Sequence, residues 1–195
     1  MNLKKFHKHK NWYRKTRGLL MRKYKKDYRL FSGLLASTSP RFQVKRNYST
    51  SLKIYNEYIK NPSKYLKYAI GNKKRYMKQN KILLAHYYNI IRTLSHNFTG
   101  SKKLVLSGQK VNSFYNNIIG NYDFVTIDIW IIRYFKIFHK NQLNLSEYKY
   151  YSRIIKKLAK KLSMLPCECQ AVLWEKQRAI EGKKESNFYQ YIETV

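Results

Sequence analysis

From Tyr28 onward the apolar residues recur every third or fourth position, and this spacing constrains the fold more than any other feature. Leu30, Phe31, Leu34 and Leu35 fall on one face of a helix. Such a face must be buried against another like it. Ser39-Pro40 breaks the run, because a residue before proline avoids the helical region. A second helix is expected from about 47 to 59, with Leu52, Tyr55 and Ile59 on one side, and Asn61-Pro62 ends it. A short helix over 65–70 closes at Gly71-Asn72. The longest is expected over 74–94, carrying Ile82, Leu83, His86, Tyr87, Ile90 and Ile91. Residues 97–103 read as loop, 111–118 as helix, and Gly120-Asn121 as a turn.

The stretch 125–138 is the most apolar of the chain. Its β-branched content suits a strand, while its length and unrelieved hydrophobicity suit a buried helix, and a helix is the expectation. Ser146 is placed as the cap of an amphipathic helix running to Leu162, with Glu147 in its first turn. Pro166 opens a last helix reaching about Ile180. Nothing repeats, and no low-complexity linker interrupts the 195 residues. The fold class is therefore all-α, a single helical domain over 28–182. A basic N-terminal arm (1–27), whose first dozen residues are expected to order on a polyanion, precedes it, and a short tail (183–195) follows.

Charge narrows the partner. Lys and Arg number 41 against 10 Asp and Glu, a formal net charge of +31. An excess of that size self-repels and calls for an anionic partner. Only Asp27 and Glu57 are acidic before Tyr122, whereas five of the ten acids lie beyond Leu165, so the first two-thirds carries the expected binding surface. Aromatics at 16% can stack on bases, although most should pack the core. DNA is the expected partner, with RNA open, and a monomer is expected. No apolar run approaches the ~20 residues of a membrane span. The basic N-terminus lacks the apolar stretch of a secretory signal. Cys167 and Cys169 stand too close for an ordinary disulfide, which suits a reducing compartment, either a phage-infected host cytoplasm or an organelle matrix.

Two residues suggest chemistry. Lys110 follows Leu106-Ser107-Gly108-Gln109 at the start of a helix, where a glycine turn and the next helix's N–H groups can meet a phosphate. The alternatives are an ordinary connecting turn and a solvated lysine. Asp128 sits among Val125, Ile127, Ile129, Trp130, Ile131 and Ile132, where an unpaired carboxylate would be costly. Here the alternative is capping, by Thr126 or Asp128, of the helix that follows. Gln170 and Trp174, one turn apart, read as packing or, with Trp130, as pocket walls. His7 and His9 read as phosphate contacts at most, and His86 as a core or edge residue. Cys167 and Cys169 lack further ligands, so no metal or other cofactor is expected.

The Gly108-Gln109-Lys110 … Val125-Thr126-Ile127-Asp128-Ile129-Trp130-Ile131-Ile132-Arg133 arrangement resembles the helix–hairpin–helix DNA glycosylase superfamily, including its endonuclease III-like enzymes. Leu34-Leu35-Ala36-Ser37-Thr38-Ser39-Pro40-Arg41 with Asn47 is similar to that superfamily's early segment. Small, mostly phage-encoded members share Trp12-Tyr13, Phe114-Tyr115, Asn117, Gln170-Ala171 and Trp174 as well. The resemblance implies a helix–hairpin–helix fold that flips a damaged or modified base and cleaves its glycosidic bond. Lys110 would be the nucleophile forming a Schiff base, and Asp128 would stabilise the charge that develops. Ser107, Gly108 and Gln109 would hold phosphate, while Ser37, Thr38, Ser39, Arg41 and Lys45 would hold DNA and supply a wedge. Three departures stand out. Leu106 replaces the hairpin's first glycine, Thr38 stands where the gap-filling glutamine would be, and the four-cysteine iron–sulfur module is absent. A non-enzymatic nucleic-acid-binding protein, such as an organellar ribosomal component, is the alternative, as is a relative that binds without cleaving.

Overall fold

The computed structural model describes residues 3–100 and 103–193, all-helical with no strand among them. Two positions of the expected 97–103 loop, and the ends of the expected arm and tail, lie outside the described residues. The central element is α2 (Tyr28–Thr38), buried at every position from Leu30 to Thr38. Around it pack α1 (Trp12–Tyr24), α3 (Val44–Lys60), α6 (Leu84–Thr99) and α7 (Gln109–Ile119). Helix α6 comes close because Gly33 has no side chain. A Cβ there would stand 2.6 Å from the Thr93 γ-methyl. An alanine at Gly33 would gain about 1 kcal/mol in helix propensity, but overpacking costs about 1–3 kcal/mol, so the contact prevails.

The helix expected over 74–94 is instead two. After α4 (Pro62–Gly71), α5 (Lys73–Asn80) stops where Lys81 adopts a left-handed conformation (φ 50°), and α6 starts at Leu84. The Ile82 N–H bonds back to the Met77 carbonyl, and the Lys81 N–H to Lys78. That is a Schellman stop, whose following apolar residue, Ile82, turns into the core. Apolar spacing survives such a turn, and so it hid the break.

Neither expected appendage is free of the core. A 3₁₀ stretch, Leu3–Asn11, lies along α10 (Pro166–Ile180). Helix α1 buries Trp12, Tyr13, Thr16, Leu19, Leu20 and Tyr24, a helical stripe that the intervening Arg and Lys conceal. At the other end Phe188 and Ile192 are buried, the latter in α11 (Tyr189–Ile192), which packs on α1. His9 is buried beside Glu185, 3.7 Å away, so it is a packed residue and no phosphate contact.

The apolar residues form two cores. The larger spans α1 to α7 and α11 and is rich in tyrosine, with Tyr24 stacked on Phe31 at 3.8 Å. The smaller is mostly aliphatic and joins Val125, Ile127, Ile131 and Ile132 to α9 (Leu145–Lys161) and α10. Helix α10 belongs to both, Cys167 and Ala171 facing the larger core and Cys169 and Leu173 the smaller. It begins and ends at the expected residues. Helix α9 is capped two residues early, by Asn144 rather than Ser146. The Asn144 side chain accepts from the Glu147 N–H, and Glu147 accepts in return from Asn144 N, both at 2.9 Å. No described helix is long and apolar enough to cross a membrane.

Candidate active site

A cleft of about 410 Å³ opens between the two cores. The larger core contributes Lys110 and the smaller Asp128. Of the residues expected to matter, Ser39, Trp130, Gln170 and Trp174 also line it.

Lys110 sits in the first turn of α7. The turn before it needs Gly108, whose φ of 89° a side chain would strain. Asn89 of α6 pins that turn like a strand partner, its amide donating to the Ser107 carbonyl (3.1 Å) and its oxygen accepting from the Ser107 N–H (2.7 Å). Inside the cleft the Lys110 amine donates to both the carbonyl and the hydroxyl oxygen of Ser39, each at 3.0 Å. The Ser39 hydroxyl points its own proton at the Ala36 carbonyl. Buried His86 holds the next residue, donating from Nε2 to the Pro40 carbonyl at 2.7 Å while Nδ1 accepts from the Leu83 N–H. Burial lowers the His86 pKa, which favours this neutral tautomer. Burial also lowers the Lys110 ammonium to about 8, with the Asp128 charge opposing the shift.

Asp128 corrects the expected helix over 125–138. Residues 125–128 are extended, and α8 (Ile129–Tyr134) is only six residues long. Side chains alternate along an extended segment. Val125 and Ile127 enter the smaller core, while Thr126 and Asp128 face the cleft, so Asp128 is half-buried rather than enclosed by its apolar neighbours. Tyr148 of α9 fixes the segment, its hydroxyl donating to the Val125 carbonyl at 2.7 Å and accepting from the Ile127 N–H at 3.0 Å. One Asp128 oxygen caps α8 through the Trp130 and Ile131 N–H groups (3.0 and 3.3 Å), and the other accepts from the Trp174 indole at 2.8 Å. Capping and a place in the cleft thus coexist.

One wall is aromatic and cationic. The Arg178 guanidinium lies 4.5 Å from the Trp174 ring centre and 5.3 Å from that of Trp130. It also donates to the Lys184 carbonyl at 2.7 Å, holding the segment after α10 against the cleft. Glu175 accepts from the Ser186 N–H there, and burial pushes its carboxyl up to about 7. On the opposite side the Tyr13 hydroxyl donates to Gln170 Oε1 at 2.8 Å.

Ser37 and Thr38 do not reach the cleft. Both are buried in the last turn of α2, bonded to the Gly33 and Leu34 carbonyls and to Thr93, Asn47 and Ser51. They knit three helices together and have no freedom to wedge into a duplex. Ser107, Gly108, Gln109, Arg41 and Lys45 are exposed. Sequence reasoning gave no role to Asn89, Tyr148, Glu175 or Arg178. For Tyr148 the strand-like alternation Val125-Thr126-Ile127-Asp128 was the available signal, since an extended segment needs a partner for its backbone. Burial pushes the thiols of Cys167 and Cys169 up to about 12, which leaves them inert. Among the described residues no three His, Cys, Asp or Glu side chains are grouped to hold a metal.

Comparison with known proteins yields one match. The family of unknown function DUF7178 matches residues 3–184, nearly the whole chain, and the chain belongs to it. No curated protein and no solved structure matches.

Proposed function

We propose that this family member is a DNA-binding enzyme of the glycosylase type, using Lys110 as nucleophile on a nucleotide flipped into the cleft. One observation carries the reading. A desolvated amine, held among the described residues by the neutral oxygens of Ser39, shares an aromatic-lined cleft with an oriented carboxylate. An exposed lysine at its ordinary pKa is almost wholly protonated at neutral pH, whereas an amine near 8 is about a tenth free. Apolar and aromatic walls with a few converging polar groups are what a ligand cleft requires.

In the proposed reaction the neutral Lys110 amine attacks C1′ of the flipped sugar, and the C1′–base bond breaks with its electron pair leaving on the base. The nitrogen, now carrying the excess proton, passes it towards Asp128 or the departing base. Opening of the C1′–O4′ bond then gives the imine. The negative charge of Asp128 stabilises the oxocarbenium character that builds at C1′. Exposed Arg41, Lys45 and the Ser107-Gly108-Gln109 turn would hold the phosphates, with affinity falling steeply as salt rises. A second reading is favoured by Asp128 itself, both of whose oxygens are already bonded. It is a relative that binds and flips a nucleotide without cleaving.

Incubation with modified-base and abasic duplexes plus borohydride tests this. A covalent adduct should form with the intact protein and vanish in Lys110→Gln. Its rate should climb about tenfold per pH unit below 8 and level off above, as the amine loses its proton. Trapping with no substrate, together with full activity in Asp128→Asn, would exclude the lyase chemistry. Duplex binding alone decides nothing, since any chain of this charge binds.

A further inference from the structure

The acceptors that Ser39 and Asp128 turn to the cleft are already engaged, whereas several donors are not. The Ser39 oxygens receive the Lys110 amine, and the Asp128 oxygens receive two backbone N–H groups and an indole. The Trp12 indole N–H, by contrast, is buried at the cleft wall with no partner. Asn47, only 3% exposed, has its oxygen occupied by Thr38 and Ser51. Gln170, also 3% exposed, has its oxygen occupied by Tyr13. Among the described residues neither carboxamide NH₂ has a protein partner, and both residues line the cleft. The Trp12 N–H is the fully buried one of the three and is costly unless a ligand completes it, and the two NH₂ groups open on the cleft, where the same ligand can bond them.

The orientation of Gln170 is imposed. Asn117 donates to the Thr126 hydroxyl at 3.2 Å. The Tyr13 hydroxyl, beside this pair, gives its own proton to Gln170 Oε1. The amide cannot flip without breaking this chain, and its NH₂ is left towards the cleft.

We propose that Gln170, with Asn47 and Trp12, reads the edge of the bound base, so that the cleft selects a base edged with carbonyl acceptors over one presenting an amino group. Uracil and cytosine differ at that point. Uracil offers a carbonyl to the donors, and cytosine sets its own N–H against them. The inference rests on the glycosylase-type reading only for the flipped base as ligand. A site built to bond a polar group rejects an analogue that leaves its donors unpaired.

Binding is measured by tryptophan fluorescence at fixed salt and at pH 6.5, where the Lys110 amine is protonated and attack is suppressed. The probes are oligonucleotides in which abasic spacers flank one uracil, one cytosine or one further abasic site, which removes the cost of unpairing. Uracil should bind at least tenfold tighter than cytosine or the abasic control. Gln170→Glu keeps an oxygen for Tyr13 but replaces the NH₂, and should reverse the preference. Tyr13→Phe frees the amide to rotate and should bring the ratio towards one. Equal binding of all three probes, or an unchanged ratio in a folded Gln170→Glu protein, overturns the proposal. If the uracil preference holds and borohydride traps nothing, the chemistry fails and base reading stands. If uracil and cytosine substrates trap equally well, base reading fails and the chemistry stands.

Discussion

The two cores are built by different means. In the larger one, aromatic rings meet at close range and their hydroxyls pair with one another, as Tyr24 does with Tyr48 (3.1 Å) and Tyr65 with Tyr76 (3.2 Å). Ring stacking and paired hydroxyls demand fixed geometry, and four long or central helices supply it. The smaller core relies on aliphatic contacts, a six-residue helix and an extended segment whose backbone is held by the Tyr148 hydroxyl. Lys110 belongs to the rigid side and Asp128 to the lighter one. A cleft walled in this way has an amine on its more tightly built wall and a carboxylate on its lighter one.

The strongest attack on that contrast is to empty each core. Phe31→Ala, at a fully buried ring in the larger core, should cost about 3–5 kcal/mol. Far-UV dichroism and tryptophan fluorescence should then melt together. Leu173→Ala, fully buried in the smaller core, should cost about 2–5 kcal/mol. Here the emission of Trp130 and Trp174 should change at a lower temperature than the helical signal. Coincident melting in both variants would mean that the cores are one cooperative unit.

Titration sharpens the comparison at the cleft walls. Lys110 sits below its ordinary 10.5, so the folded chain releases a proton that the unfolded chain keeps. The resulting penalty is full below pH 8 and disappears as pH rises to 10.5. Lys110→Met should therefore stabilise the protein at pH 7, by about 1–3 kcal/mol, and flatten denaturant midpoints across that window. Glu175 is shifted upward, from 4.5 to about 7, so the folded chain holds an extra proton and stability falls as pH rises between those values. Glu175→Gln should remove that slope and raise the midpoint at pH 7 by a similar amount. A steeper slope in the variant would contradict the burial argument. The smallest effect expected is that of Tyr148→Phe, about 1–2 kcal/mol, from the buried Ile127 N–H left unpaired. It should nevertheless lower the trapping yield more than Tyr24→Phe does, because only Tyr148 fixes the approach to Asp128.

Where one local signal dominated, the sequence could be read directly. Pro166 begins α10 and the helical face of Leu30, Phe31, Leu34 and Leu35 defines α2, since a proline and an apolar stripe each act within a few residues. Lys110 and Asp128 were identifiable by their settings, a glycine turn and an apolar run. What lay hidden depended on partners distant in the chain. The four residues Val125-Thr126-Ile127-Asp128 are extended because Tyr148, about twenty positions later, accepts and donates for them. The burial of Ser37 and Thr38 depends on Asn47, Ser51 and Thr93. In α1 the abundance of lysine and arginine masked a stripe that burial makes plain.

The packing of Leu3–Asn11 against α10 has a consequence for how the chain is made. A ribosome makes Leu3–Asn11 more than 150 positions before the α10 surface on which they dock. Until α10 emerges, Leu3–Asn11 have no docking surface, and the cleft lacks Gln170, Trp174 and Arg178. Such distant pairing is slow to form and leaves apolar surface open meanwhile. The strongly basic composition then serves the nascent chain, because mutual repulsion keeps unfinished copies apart until α10 docks.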